Sequence, residues 1–73
     1  MNFRFLKDIQ GKDVIDLNKR KIGIVKDIEI NQNGICEHLI ISVREGGELM
    51  IPFNEVKISN GNIVLQVKLG QTI

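Results

Sequence analysis

The sequence predicts a small all-β protein, an antiparallel barrel of about six strands in a single domain spanning residues 1–73. Three observations carry this. Ile and Val dominate the apolar set and mostly recur with period two, which suits a pleated, half-buried surface. The chain contains no Ala and few long stretches free of turn residues, so helix signals are nearly absent. Turn residues punctuate it at Gly11, Asn18, Asn31 to Gly34, Gly46-Gly47 and Asn60-Gly61, spacings of roughly 10 to 15 residues that match short strands.

Taken in order, a first strand is expected over Phe3–Leu6, then a connection over Lys7–Lys12 containing one short helical turn and ending near Gly11. Asp13–Leu17 is the second strand and Asn18–Lys21 a turn. Ile22–Ile30 is the third strand. There Ile22, Ile24, Ile28 and Ile30 share one parity and Val25 the other, so a bulge near Lys26-Asp27 is needed to bring both sets inward. Asn31–Gly34 is a hairpin loop, with Asn33-Gly34 suited to positive φ. In the fourth strand, Ile35–Arg44, alternation puts Ile35, Leu39, Ile41 and Val43 on the core face. Cys36, His38, Ser42 and Arg44 fall on the other face, with Ile40 among them. Glu48–Ile51 is a fifth strand that Pro52 ends, because proline has no N–H to give a ladder. A single turn over Phe53–Glu55 leads to a last hairpin, Val56–Ser59 and Asn62–Val67, with Ile63, Leu65 and Val67 inward. Six apolar residues, Phe3, Phe5, Ile40, Met50, Leu69 and Ile73, are left over once these faces are assigned.

Charge and composition exclude several functions. Ten Lys+Arg against nine Asp+Glu leave a formal net charge of +1. Nucleic-acid affinity comes mostly from phosphate neutralisation, so nucleic acid is not expected to bind this chain on its own. Three Phe with no Trp or Tyr make a poor base-stacking platform. No apolar run approaches the ~20 residues of a membrane span, and Met1-Asn2-Phe3-Arg4 does not open a signal peptide. One cysteine closes no internal disulfide, which points to a cytoplasmic protein. A domain this small buries only ~60% of its unfolded surface. With no staple, extra burial is most readily found in a protein partner, and a homodimer is the expected form.

Candidate chemistry is thin. Cys36 and His38, two apart, offer two metal ligands or a thiolate–imidazole pair. A structural zinc site needs four ligands, so they are read as an outward Cys and His, with zinc shared between two chains as the one exception. Asp13 and Asp16 flank a short strand, point to opposite faces and serve as acceptors for backbone N–H groups rather than as an acid–base pair. Lys19-Arg20-Lys21 is the one basic run, at a turn tip, and is the candidate electrostatic contact. Gly46-Gly47 lacks the Lys-Ser/Thr and the helix of a phosphate loop. No catalytic, cofactor or metal residues are assigned, and the chain is expected not to be an enzyme.

Ordered motifs carry a family resemblance. Leu6-Lys7-Asp8-Ile9-Gln10-Gly11-Lys12-Asp13-Val14 is followed by Ile22-Gly23-Ile24-Val25-Lys26-Asp27-Ile28, then by Ile51-Pro52-Phe53-Asn54-Glu55-Val56-Lys57. In this order, across about Phe5 to Val67, the chain resembles PRC-barrel domains, and among stand-alone members the short bacterial YlmC/YmxH group, which is sporulation-associated. The resemblance implies a small β-barrel that serves as a protein-docking module without catalytic residues. The alternative it implies is an RNA-processing or ribosome-maturation factor. It gives structural roles to Gly23, at a close backbone approach or bend, and to Asp27, as a half-buried carboxylate pinning the bulge. Pro52 and Phe53 would plug one end of the barrel. The segment before Ile51-Pro52 is shorter here than in related short members.

Overall fold

A computed structural model describes residues 8–66 of the chain. The expected strand over Phe3–Leu6 and the residues Phe3, Phe5, Val67, Leu69 and Ile73 lie outside them. Six strands form one curled sheet: β1 Asp13–Ile15, β2 Lys21–Ile30, β3 Cys36–Val43, β4 Glu48–Pro52, β5 Val56–Ser59 and β6 Asn62–Leu65. Phe53–Glu55 is a 3-10 turn between β4 and β5. Every strand predicted within residues 8–66 is present, with ends moved by one or two residues.

The order across the sheet is β4-β3-β2-β1-β6-β5. The barrel was expected to be antiparallel throughout; one pair departs from this. Strand β1 runs parallel to β6, with Val14 opposite Ile63. A parallel pair needs a long crossover, and the β2–β5 excursion supplies it. The excursion returns the chain to the far side of β1, so sequence neighbours and sheet neighbours part company there.

Two register shifts decide what is buried. In β2 the pairing with β3 jumps between Val25 and Asp27, leaving Lys26 as the extra residue, at the site the mixed parity of the isoleucines demanded. Val25 therefore faces inward before the bulge, and Ile28 and Ile30 pack on the core after it. Ile24 was grouped with that set; the bulge leaves it on the outer face, 39% exposed. The second shift lies between Glu29 and Ile30, where β3 carries Glu37 as its extra residue. Simple alternation put Ile35 inside and Cys36 outside. The extra residue reverses both, so Ile35 is 60% exposed and Cys36 is buried.

The core comprises Ile9, Val14, Val25, Cys36, Leu39, Ile41, Ile51, Ile63 and Leu65. Ile9 reaches it from a helical turn at residues 8–9, within the predicted connection. The connection is tied across the β2 bulge: the Gly11 N–H donates to the Val25 carbonyl and the Val25 N–H to the Lys12 carbonyl, at 2.8 and 2.9 Å. Phe53 packs against the core edge and Pro52 is half-buried at the end of β4, where His38 is its partner across the ladder.

Candidate functional site

The basic turn is built by one carboxylate. Asp16 Oδ1 accepts from the backbone N–H groups of Asn18 and Arg20 at 2.8 and 2.9 Å. Its own N–H donates to the Arg20 carbonyl, and Lys19 takes a φ of +65° within the turn. Asp16 thus acts on backbone as expected. Asp13 instead pairs with Lys21 at 3.3 Å, with both side chains about half exposed. Replacing Asp16 with Ala removes the one oxygen that accepts both hydrogen bonds and should cost about 1 kcal/mol, as surface hydrogen bonds do. Asp16→Asn, which keeps an acceptor oxygen, should cost less; urea denaturation of the two variants gives the comparison.

From this turn β2 leads Arg20 and Lys21 to the rim of a groove of about 570 Å³ on the sheet. Its lining is completed by Ile22, Gly23 and Ile24 of β2 and by Ser42, Val43 and Arg44 at the end of β3. Gly23 is central to its shape. A Cβ placed there would lie 2.2 Å from the Ser42 carbonyl oxygen and 2.9 Å from Ile41 Cγ2, so the two strands close on each other only because the side chain is absent. Lys19 is exposed and does not line the groove. Arg44, which sequence reasoning left as an outward strand residue, is the cation that joins Arg20 and Lys21. It lies 24 positions from Arg20 in the chain, so no local pattern links them.

Beside the groove, the outer face of β2, β3 and β4 carries an apolar strip. Ile24 pairs with Ser42, and Ile40, two residues along β3, pairs with Met50. Met50 is 56% exposed. The ion pair of Lys26 with Glu48 lies on the same strands, and the Glu48 carboxylate holds the Lys26 ammonium above its ordinary range. Asp27 is exposed rather than half-buried, and its Oδ1 accepts from the Ile28 N–H at 2.8 Å, on the bulge itself.

Cys36 and His38 part company. The Cys36 thiol faces the core and reaches the His38 carbonyl at 3.6 Å, so it is not the outward ligand that alternation suggested. An intermolecular Cys–His zinc site loses its thiolate for that reason. His38 stays at the surface, where Nδ1 lies 2.6 Å from Glu29 Oε1, its partner across the ladder. The β3 bulge brings Glu37 to the same side, and the donor atoms of Glu29, Glu37 and His38 lie within 4.8 Å of one another. Sequence reasoning missed the two glutamates, because adjacent strand residues such as Glu37 and His38 ordinarily face opposite ways.

Burial raises the Cys36 thiol above its ordinary value of 9.0. A raised folded value means the folded state holds the proton more tightly than the unfolded chain. The stabilisation is therefore full below pH 9 and is lost as pH climbs through the folded value. The thiol should resist aromatic disulfide reagents at pH 8 in the folded protein and react at once in denaturant. Stability measured from pH 8 to 10.5 should fall less steeply in Cys36→Ala than in the parent.

Among the described residues, these features define an all-β module with a groove at the β2–β3 end and an outward face on β2, β3 and β4. The chain belongs to the PRC-barrel domain family, whose match extends over residues 1–71. No curated protein matches the chain. PRC-barrel domains are generally non-catalytic and typically mediate protein interactions. No helix among the described residues is long and apolar enough to cross a membrane.

Proposed function

We propose that this chain is a non-enzymatic docking module, one domain over residues 1–73, that engages a protein partner through the outer face of β2, β3 and β4. The observation that carries the reading is exposed Ile24 and Met50 on that face, with half-buried, outward-facing Ile40 between them. Apolar side chains gathered beside polar ones mark contact surfaces when they are contiguous. A homodimer is part of the reading. Its contact runs over Ile40 and Met50, toward strand β4 and away from the basic turn. A cytoplasmic setting is the one in which a lone thiol stays reduced. The sporulation-associated role comes from the resemblance to the YlmC/YmxH group and is tested by deleting the gene in a spore-forming host and counting heat-resistant spores.

The experiment for docking is a paired one. Immobilised protein should retain its partner at about 0.5 M salt, where electrostatic contacts are screened within ~4 Å. It should lose that partner in an Ile24→Asp, Met50→Lys variant. Sedimentation at micromolar concentration should return the mass of two chains, and of one chain in the variant. The RNA-processing or ribosome-maturation alternative draws on Arg20, Lys21 and Arg44 lying together. It requires affinity for cellular RNA that falls with salt at ~0.7 log units per phosphate contact. Sub-micromolar RNA binding abolished by Lys19/Arg20/Lys21→Ala would replace the docking reading with that one.

A further inference from the structure

The groove at the basic turn has a composition that selects its occupant. Ile22, Ile24 and Val43 supply apolar surface, Arg20, Lys21 and Arg44 supply positive charge, and no carboxylate lines it. Glu45, next to Arg44 in the chain, is not part of the lining. Lys21 is partly neutralised by Asp13, whereas neither arginine is in a salt bridge among the described residues. Residues 1–7 and 67–73 contain no Asp or Glu that could neutralise them. The volume of about 570 Å³ is within the range of sites that take small or extended ligands.

Arginine guanidinium presents a planar fork that matches a carboxylate with two parallel hydrogen bonds. Two such forks beside isoleucine and valine side chains complement a segment in which an apolar residue is flanked by acidic ones. We propose that this groove binds an extended acidic protein segment of that kind, carried by a heterologous partner. The proposal rests on the docking reading and adds a second, salt-sensitive contact that the same partner makes beside the apolar one. A nucleic-acid strand fits the groove less well. Its bases would need aromatic faces to stack on, and the lining has none. Asp16 fixes the Arg20 backbone N–H at 2.9 Å, which holds the main chain from which the guanidinium extends.

The test uses the full chain and a fluorescein-labelled peptide, Ser-Glu-Asp-Leu-Ile-Asp-Glu-Ser, with a twin in which Gln and Asn replace every Glu and Asp. The acidic peptide should bind with amide shifts confined to residues around Ile22, Ile24, Ser42 and Arg44. The neutral twin should bind about 10-fold more weakly or not at all, as should the acidic peptide against Arg20→Gln, Arg44→Gln. Raising salt from about 50 mM to about 300 mM should weaken the acidic peptide and leave the twin unchanged. The twin reports on charge in the unaltered protein, so the result stands whether or not the double variant folds. Absence of binding at about millimolar peptide, equal binding of the twin, or shifts on another face would each overturn the proposal. Tighter binding of an oligouridylate by the same arginines would overturn it in favour of RNA. Dimer-dependent shifts in the groove would overturn it in favour of a second copy. If the peptide fails while Ile24→Asp, Met50→Lys still abolishes partner retention at high salt, the acidic occupant is wrong and the docking reading survives. If the peptide binds as expected while that variant keeps its partner, the docking face is wrong.

Discussion

Replacing Leu39 with Ala should destabilise the protein by about 2 to 5 kcal/mol, the range for emptying a closed core site. Leu39 is wholly buried, with Ile28 its partner on one side and Ile51 on the other. Three strands meet over that side chain, and a cavity beneath the middle of a sheet collapses poorly. The neighbouring Ile40 faces outward and is only half-buried, so Ile40→Ala should cost much less. Urea midpoints of the two variants measured side by side test the register of β3 directly. Equal costs would show that Leu39 and Ile40 do not lie on opposite faces of β3.

Gly23→Ala should cost about 3 kcal/mol, at the upper end of what overpacking produces. The added Cβ meets the Ser42 carbonyl oxygen at 2.2 Å, inside any tolerable contact. The obstacle is main chain, so no change of side chain at position 42 relieves it. The strands would have to separate, and the groove between them would widen. Two readouts follow from this geometry. Thermal unfolding should shift downward by about 12–24 °C, as ~1 kcal/mol moves a small domain by ~4–8 °C. Amide shifts should concentrate on Gly23, Ile41, Ser42 and their ladder neighbours. A cost below about 0.5 kcal/mol, as at ordinary surface sites, would show that β2 and β3 do not approach so closely.

The two bulges that set the faces of β2 and β3 were unevenly legible in the chain. The β2 bulge could be read because its own apolar residues demanded it: Val25 and Ile28 differ in parity, and one extra residue reconciles them. The β3 bulge left a subtler mark, since strict alternation from Leu39 back to Ile35 places charged Glu37 on the core face. Ile35 and Cys36 are both apolar enough to be buried, so alternation counted back from Leu39 chose Ile35. The structure chose Cys36 because Glu37 is the unpaired residue opposite the end of β2. The same displacement brought Glu37 beside His38 and Glu29, a cluster that strand periodicity argues against.

The proposed contact face shows the same division. Lys19, Arg20 and Lys21 were visible as a run, and Asp16 as an acceptor for backbone groups nearby. Arg44 was visible only as one more outward residue. Its meeting with Arg20 and Lys21 depends on the β2–β3 ladder, in which Gly23 lies opposite Val43. Met50 and Ile40 could be recognised as surplus to the core, yet their meeting on one face with Ile24 follows from pairing across three strands.

What the sequence by itself determined is therefore local: β-branched residues with period two set the strands, and Gly, Asn and Pro set where they stop. Those choices depend on backbone preferences within a few residues, and they hold whatever the strands later touch. The tertiary structure alone decided the parallel β1–β6 pair, the inward turn of Cys36 and the gathering of Arg20, Lys21 and Arg44 around one groove. Each of these depends on which strands become neighbours after the chain has closed long loops. That choice is made by burying the most apolar surface across the whole sheet, a sum that no single segment carries.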